Sequence, residues 1–185
     1  MNEDKLSKIE LRKKFLKIRK DITNKDSKSL VIFNKIIKED YFINSKVIAL
    51  YNNLNSEVST KELIDYSLIL NKTVLLPRVV NDDLLFYKID CNSIYSKSSF
   101  GVLEPSLDNK LFRKEDIDLI IVPGVVFDVN RNRIGFGKGF YDRFFKGCKA
   151  LKVGICFDEQ IIESIPFENN DIKLDIIVSD KRNIK

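Results

Sequence analysis

An α/β domain, a layered sandwich in which a mainly parallel central sheet is flanked by helices, is the fold this sequence predicts. Three observations lead there. Short apolar runs of strand length recur along the chain, segments of helical periodicity separate them, and no long polar linker interrupts the 185 residues, of which 44% are hydrophobic. That length and apolar content suffice for one domain, spanning residues 1–185, with a core of its own.

The first element is a basic helix over about residues 4–22. Leu11, Phe15, Ile18 and Ile22 fall at i, i+4, i+7 and i+11, one apolar stripe. Lys8, Arg12 and Arg19 lie along one flank of that stripe, near its buried edge, where they either reach inward or lie as solvated stems. Lys13, Lys14, Lys17 and Lys20 fall farther round, as a solvated face. A second helix is expected over 27–39, and residues 46–51 read as a buried strand. Ser59-Thr60-Lys61-Glu62 has the form of a capping box, so a third helix should start there and run to about Leu70. Residues 73–77 and 84–89 read as strands, with Asn81-Asp82-Asp83 as the turn between them. The polar segment 91–99 is expected to be a loop, either near a ligand site or as a surface excursion. Residues 118–122 form a strand stopped by Pro123-Gly124, and strands over 152–157 and 175–179 complete the set. No internal repeat is present.

Composition narrows the chemistry. The chain has no histidine, which excludes Ser-His-Asp and Cys-His triads, H-E-x-x-H zinc sites and imidazole proton shuttles. Catalysis must then rest on carboxylates, Lys, Arg, Tyr or a bound metal, a set suited to phosphoryl transfer, where positioning and charge neutralisation dominate. Cys91, Cys148 and Cys156 are an odd set without a C-x-x-C pair, so they read as small core residues or idle thiols rather than a disulfide framework or zinc knuckle. The formal charge of +5 is local: residues 5–20 hold eight basic side chains against Glu10 alone, whereas residues 21–185 hold 24 of each sign. The excess is one N-terminal segment, not a basic surface. Residues 1–5 carry no apolar signal core, and no apolar run approaches the roughly 18 to 20 residues of a membrane span, so a soluble cytoplasmic protein is expected.

The chemistry-bearing stretch is Val122-Pro123-Gly124-Val125-Val126-Phe127-Asp128, followed by Arg133-Ile134-Gly135-Phe136-Gly137-Lys138-Gly139-Phe140-Tyr141-Asp142-Arg143. Glycines at alternate positions let the backbone take positive φ and present N–H groups, while Arg133 and Lys138 bring positive charge to the same place. The stretch therefore reads as a phosphate cradle opening onto a helix N-terminus. The alternative is a tight hairpin or bulge beside a close-packed strand. It is not a P-loop, because Lys138 is followed by Gly139 instead of a hydroxyl, and its G-x-G-x-G spacing is not the dinucleotide fingerprint. Asp142 adds a carboxylate suited to a divalent metal beside phosphate. In open α/β sheets the ligand crevice lies beyond the carboxyl ends of the strands, which puts Asn52 to Glu57 and Pro123 to Asp128 on the expected binding edge. Glu57 would also suit a helix N-terminus by charge alone.

From end to end and in order, these blocks resemble the 5-formyltetrahydrofolate cyclo-ligase (5,10-methenyltetrahydrofolate synthetase) family. The resemblance is carried by Lys8-x-x-x-Arg12 on a basic helix, the Asn52 to Glu57 loop, Leu76-Pro77-Arg78, Gly101-Val102-Leu103-Glu104-Pro105, Val122-Pro123-Gly124 to Asp128, Arg133 to Asp142, and Pro166-Phe167-Glu168-Asn169-Asn170-Asp171. The glycine-rich block is the specific one. The resemblance implies a NagB/RpiA/CoA-transferase-like sandwich and ATP-dependent cyclisation of 5-formyltetrahydrofolate to 5,10-methenyltetrahydrofolate, with release of ADP and phosphate. It implies an ATP site of Lys8, Arg12, Arg133, Gly135, Gly137, Lys138, Gly139, Phe140 and Tyr141, with Arg133 and Lys138 acting in catalysis. It further implies Asn52, Glu57, Phe140 and Tyr141 on the folate, and Asp142 and Asp171 on Mg²⁺. The partners implied are small molecules, with no nucleic acid and no membrane, and a monomer is expected. Two positions depart from the family pattern: Asn170 stands where many bacterial members have His, and Asn52 where the family is often apolar.

Two other readings share these residues. One is an RNA- or DNA-binding protein docking through the basic helix; the balanced charge of residues 21–185 and the lack of an aromatic-basic interleaved strand count against it. The other is a folate- or phosphosugar-binding relative without the ligase step, against which stand the intact Arg133, Lys138 and Asp142.

Overall fold

Helix α1 (Lys8–Asp21) opens on a capping box, in which the Ser7 hydroxyl accepts from the Glu10 N–H and the Glu10 carboxylate accepts from the Ser7 N–H. The structure, a computed structural model, describes residues 6–98 and 101–185. The helix expected over 4–22 thus begins at Lys8, and residues 4 and 5 lie outside the described chain. Its stripe packs as its spacing requires: Leu11, Phe15 and Ile22 are buried, while Lys13, Lys14, Lys17 and Lys20 are exposed.

The helix expected over 27–39 is two helices, α2 (Lys25–Ile36) and α3 (Asp40–Asn44). Glu39 is extended, and this break allows Ile36 and Phe42 to bury in the same core cluster. After β1 (Val47–Ala49), helix α4 (Lys61–Ile69) starts without the capping box that its sequence suggests. The Thr60 hydroxyl donates to the Tyr51 carbonyl, and Ser59 Oγ donates to the Glu62 carboxylate instead of accepting from the Glu62 N–H.

Strands β2 (Thr73–Val80) and β3 (Asp83–Ile89) form a hairpin. Its two-residue turn places Asn81 and Asp82 in the left-handed region, at φ 48° and 66°, the geometry that joins antiparallel strands. Segment 91–99 is not all loop: β4 (Tyr95–Lys97) pairs antiparallel with β5 (Leu103–Pro105), making a small arm, while Ser99 lies outside the described residues. The remaining elements are β6 (Leu111–Phe112), β7 (Leu119–Val122), β8 (Val126–Asp128), β9 (Arg133–Ile134), α5 (Phe140–Phe145), β10 (Leu151–Cys156), β11 (Ile161–Ile162), β12 (Ile176–Ser179) and β13 (Asn183–Ile184).

The main sheet runs β13-β12-β10-β7-β1-β2-β3-β6. Its five middle strands are parallel, but β13, β3 and β6 join antiparallel, so the sheet is mixed where a mainly parallel one is expected. The parallel strands are apolar on both faces, as strands covered on both sides must be. In β7, Leu119 and Ile121 point into a core shared with α2, α3 and α4, whereas Ile120 and Val122 point into a second core containing Phe127 and Phe145 of α5. A third cluster joins Leu11 and Phe15 of α1 to Val126 and Ile134 of a small sheet ordered β11-β8-β9. Helix α1 is thereby held over the carboxyl-end side of the parallel strands.

Candidate active site

The loops after β1 and β7, the far half of the β2–β3 hairpin, the β4–β5 arm, α1 and the glycine-rich segment enclose a cavity of about 620 Å³. Every residue that the sequence nominates for ATP, folate or metal lines it: Lys8, Arg12, Asn52, Glu57 and Arg133, then Gly135, Gly137, Lys138, Gly139, Phe140, Tyr141, Asp142 and Asp171.

Helix α1 delivers cations from one flank. Lys8 Nζ donates to Asp171 Oδ2 at 2.5 Å and lies 3.2 Å from Glu168 Oε1. Arg12 Nε donates to the Gly135 carbonyl at 2.8 Å. One flank position farther along, Arg19 is 1% exposed and donates to Glu57 Oε1 and to the Gly124 carbonyl, each at 3.2 Å.

Two of the three cradle glycines take positive φ, Gly137 at 97° and Gly139 at 66°. Gly135 does not. Its contributions are the carbonyl that accepts from Arg12 and the space it leaves, since a Cβ there would sit 3.2 Å from Arg133 Nη1. A Cβ on Gly137 would similarly meet the Arg12 guanidinium at 3.2 Å. Arg143 braces the segment by donating to the Lys138 carbonyl at 2.8 Å and to the Asp82 carbonyl of the β2–β3 turn at 2.7 Å. The Lys138 side chain is left exposed on the cavity wall.

Arg133 is buried, with its guanidinium 5.5 Å from the ring centroids of both Tyr141 and Phe145. It donates to Asp142 Oδ1 at 3.1 Å, while its buried Nε has no partner among the described residues. Burial pushes the Tyr141 phenol up, with Arg133 pulling the other way, so the ring is a neutral wall at ordinary pH.

No cluster of three or more Cys, Asp and Glu suited to a metal occurs among the described residues. The two nominated aspartates are instead ion-paired, Asp142 with Arg133 and Asp171 with Lys8, each with its side chain 25% exposed. Both pairs use one carboxylate oxygen; Asp142 Oδ2 and Asp171 Oδ1 carry no protein hydrogen bond among the described residues. Two such oxygens in the wall of one cavity fit Mg²⁺, which takes one or two carboxylates and completes its shell with phosphate oxygens and water.

Glu57 is buried in the cavity wall, accepting from Arg19 and, at 2.8 Å, from the Leu54 N–H. Burial raises the Glu57 carboxyl above the usual carboxylate range, and Arg19 followed by the Leu54 N–H oppose that rise. Pro77, Val79 and Leu84 supply an apolar wall. Asn52 donates to the Leu103 carbonyl at 2.9 Å, so it ties the β4–β5 arm to the site. Of the 123–128 segment only Pro123 lines the cavity. Asp128 turns away, accepting from the N–H groups of Asn130, Asn132 and Ile165 and from the Asn132 amide, which fixes the β8–β9 turn.

Several contributors carry no site assignment from sequence. Arg78 fastens the arm through Ser96 Oγ and the Pro105 carbonyl, both at 2.8 Å, and the arm brings Ser98, Val102 and Glu104 to the cavity. Phe136 rests over Arg19, its ring centroid 5.3 Å from the guanidinium carbon. For Arg19 the flank spacing was the available signal; for the arm it was the polar segment 91–99, which left a loop near a ligand site and a surface excursion equally open, and the Gly101 to Pro105 block, which named no role.

Comparison with known proteins finds relatives along nearly the whole chain. Residues 4–180 match the 5-formyltetrahydrofolate cyclo-ligase family. A probable 5-formyltetrahydrofolate cyclo-ligase of Schizosaccharomyces pombe is 31% identical over 181 residues, covering 86% of this chain and 87% of its own. The 5-formyltetrahydrofolate cyclo-ligase of Haemophilus influenzae is 34% identical over 142 residues, covering 72% and 76%. Among solved structures, the 5,10-methenyltetrahydrofolate synthetase of Aquifex aeolicus superposes with a TM-score of 0.85 at 34% identity, over 95% of this chain and 91% of that one.

Proposed function

The chain belongs to the 5-formyltetrahydrofolate cyclo-ligase family, and on that premise we propose that it is a C–N bond-forming ligase that cyclises 5-formyltetrahydrofolate to 5,10-methenyltetrahydrofolate with conversion of ATP to ADP and phosphate. The reading rests on one observation above others: a single cavity is lined by four cations, two aspartates, a buried carboxylate and an apolar wall. That lining suits a triphosphate and a reduced pterin brought together in one cavity.

In the proposed reaction the formyl oxygen attacks the γ-phosphorus and ADP leaves. Nitrogen 10 of the folate then closes on the activated formyl carbon and loses its proton, and phosphate departs with the former formyl oxygen. No protein nucleophile is required, in keeping with a chain that has no histidine. Lys8, Arg12, Arg133 and Lys138 hold the phosphates, with Arg133 and Lys138 placed against the charge that develops during transfer. Each charged hydrogen bond contributes about 1.5 to 3 kcal/mol where the phosphate is poorly solvated. Holding formyl oxygen and γ-phosphorus in line supplies roughly 7 to 11 kcal/mol of barrier lowering. Asp142 and Asp171 would hold Mg²⁺, which when bound neutralises charge on the phosphate oxygens. Glu57 receives the N–H edge of the pterin, with Phe140, Tyr141 and Asn52 around it. On the same reading residues 1–185 form one cyclo-ligase domain of the NagB/RpiA/CoA-transferase kind, acting as a cytoplasmic monomer.

The test is the near-ultraviolet absorbance of methenyltetrahydrofolate formed from 5-formyltetrahydrofolate and Mg²⁺, with and without ATP. ATP-dependent product is expected. Folded protein that makes none would overturn the reading.

A further inference from the structure

We propose that Arg19 is a positioning residue for the folate: from behind Glu57 its guanidinium holds and orients the carboxylate that receives the pterin. This inference rests on the folate reading above and adds to it a residue from the last turns of α1.

A cation that is 1% exposed must be paired. Arg19 spends one nitrogen on two walls of the site at once, donating through Nη1 to Glu57 after β1 and to the Gly124 carbonyl after β7. Phe136 of the glycine-rich segment covers its face. Glu57 is correspondingly fixed from two sides, Oε1 by Arg19 and Oε2 by the Leu54 N–H, and each oxygen retains a lone pair for a ligand N–H. The charged or titratable groups facing Glu57 are Arg19 from α1, Tyr51 beyond β1 and Tyr141 from α5. Both phenols are pushed up, first by burial and further by Glu57 itself, so they stay neutral. Arg19 is therefore the cation that favours the ionised form of this buried carboxyl against its desolvation. Lys8, Arg12 and Arg19 share one helix flank, so α1 serves the phosphates with its first turns and the folate with its last.

The experiment compares wild type with Arg19→Met, Arg19→Lys and Glu57→Gln, reading KM for each substrate by turnover and the pH dependence of 5-formyltetrahydrofolate binding by calorimetry. Ionised Glu57 accepts the pterin, so affinity is present above its folded-state pKa and lost as pH falls through it. Removing Arg19 leaves burial opposed by the Leu54 N–H alone, and the acid limb must move to higher pH. Arg19→Met should raise KM for 5-formyltetrahydrofolate about ten- to hundredfold, the equivalent of a lost charged hydrogen bond, and shift KM for ATP less than about threefold. Arg19→Lys, which keeps the charge, should return the limb toward the wild-type position, and Glu57→Gln should abolish it. A residue that only staples α1 would lower the melting temperature and leave the limb unmoved; that result, or equal affinity in Glu57→Gln, overturns the inference. Should Arg19→Met not fold, the lysine variant decides: a KM rise confined to ATP overturns the inference, and one confined to the folate supports it. Wild-type protein that neither binds nor cyclises 5-formyltetrahydrofolate would instead overturn the cyclo-ligase reading and take this inference with it.

Discussion

Lys138 exposes its side chain to the cavity, and the hydrogen bond recorded at this residue runs to its backbone carbonyl, from Arg143. Because nothing in the core leans on that side chain, Lys138→Ala should stay within about 0.5 kcal/mol of wild-type stability. Turnover should nevertheless fall, with kcat/KM down about ten- to hundredfold if one charged phosphate contact is lost. Steady-state kinetics beside a thermal melt would check this, and near-normal turnover would remove Lys138 from the phosphate site. The same residue scale shows what sequence can name. Lys138 is legible from its charge among the glycines, whereas Lys8, Arg12 and Asp171 are legible only through the family blocks that they resemble. The partner of Arg19 is not, since Glu57 stands 38 positions away and only packing brings the two together. Gly135 misleads for a related reason: composition advertises conformational freedom, whereas the fold uses its carbonyl and its small size.

At the scale of the element, α1 is attached chiefly by one apolar stripe, Leu11 and Phe15 packing on Val125, Val126, Ile134 and Ile165. Since Lys8, Arg12 and Arg19 all ride on this helix, its docking is a functional quantity. Phe15→Ala should cost about 3 to 5 kcal/mol, as truncation of a buried aromatic does, and should raise KM for both ATP and 5-formyltetrahydrofolate. Melting temperature and both KM values measured together would test it; a destabilised variant with unchanged KM values would mean that α1 does not carry the site. The helix was legible because its 3.6-residue period is sustained over several turns, and the apolar parallel strands because burial on both faces leaves no polar alternation. The β4–β5 arm was not: β4 is exposed throughout and its pairing is short, so neither periodicity nor hydrophobicity marks it. The antiparallel edge was half visible, because Asn81-Asp82 announces a turn while strand direction depends on that turn being two residues long.

For the whole molecule, the consequence lies in how stability is distributed around the cavity. The strands β7 and β10 are buried in the centre of the sheet, whereas α1, the β4–β5 arm and the glycine-rich segment cover the cavity from outside it. Local opening free energies should follow that division, with the covering pieces exchanging amide hydrogens faster than the central strands. A ligand that binds only the closed arrangement stabilises it by mass action, by about 2.7 kcal/mol at a hundredfold excess over Kd. Hydrogen exchange with a non-hydrolysable ATP analogue and Mg²⁺ should therefore slow in the first turns of α1 and over residues 135–141. With 5-formyltetrahydrofolate alone, protection should centre on the last turns of α1, on residues 52–57 and on the arm. Residues 119–122 and 151–156 should change little with either, because they already open only with the whole fold. Protection by ATP restricted to the exposed lysines of α1, without the glycine-rich segment, would mean that nucleotide is held by surface charge and not in the cavity. Protection of both ends by either ligand alone would mean that α1 closes as one rigid strap, so that each substrate prepares the site for the other.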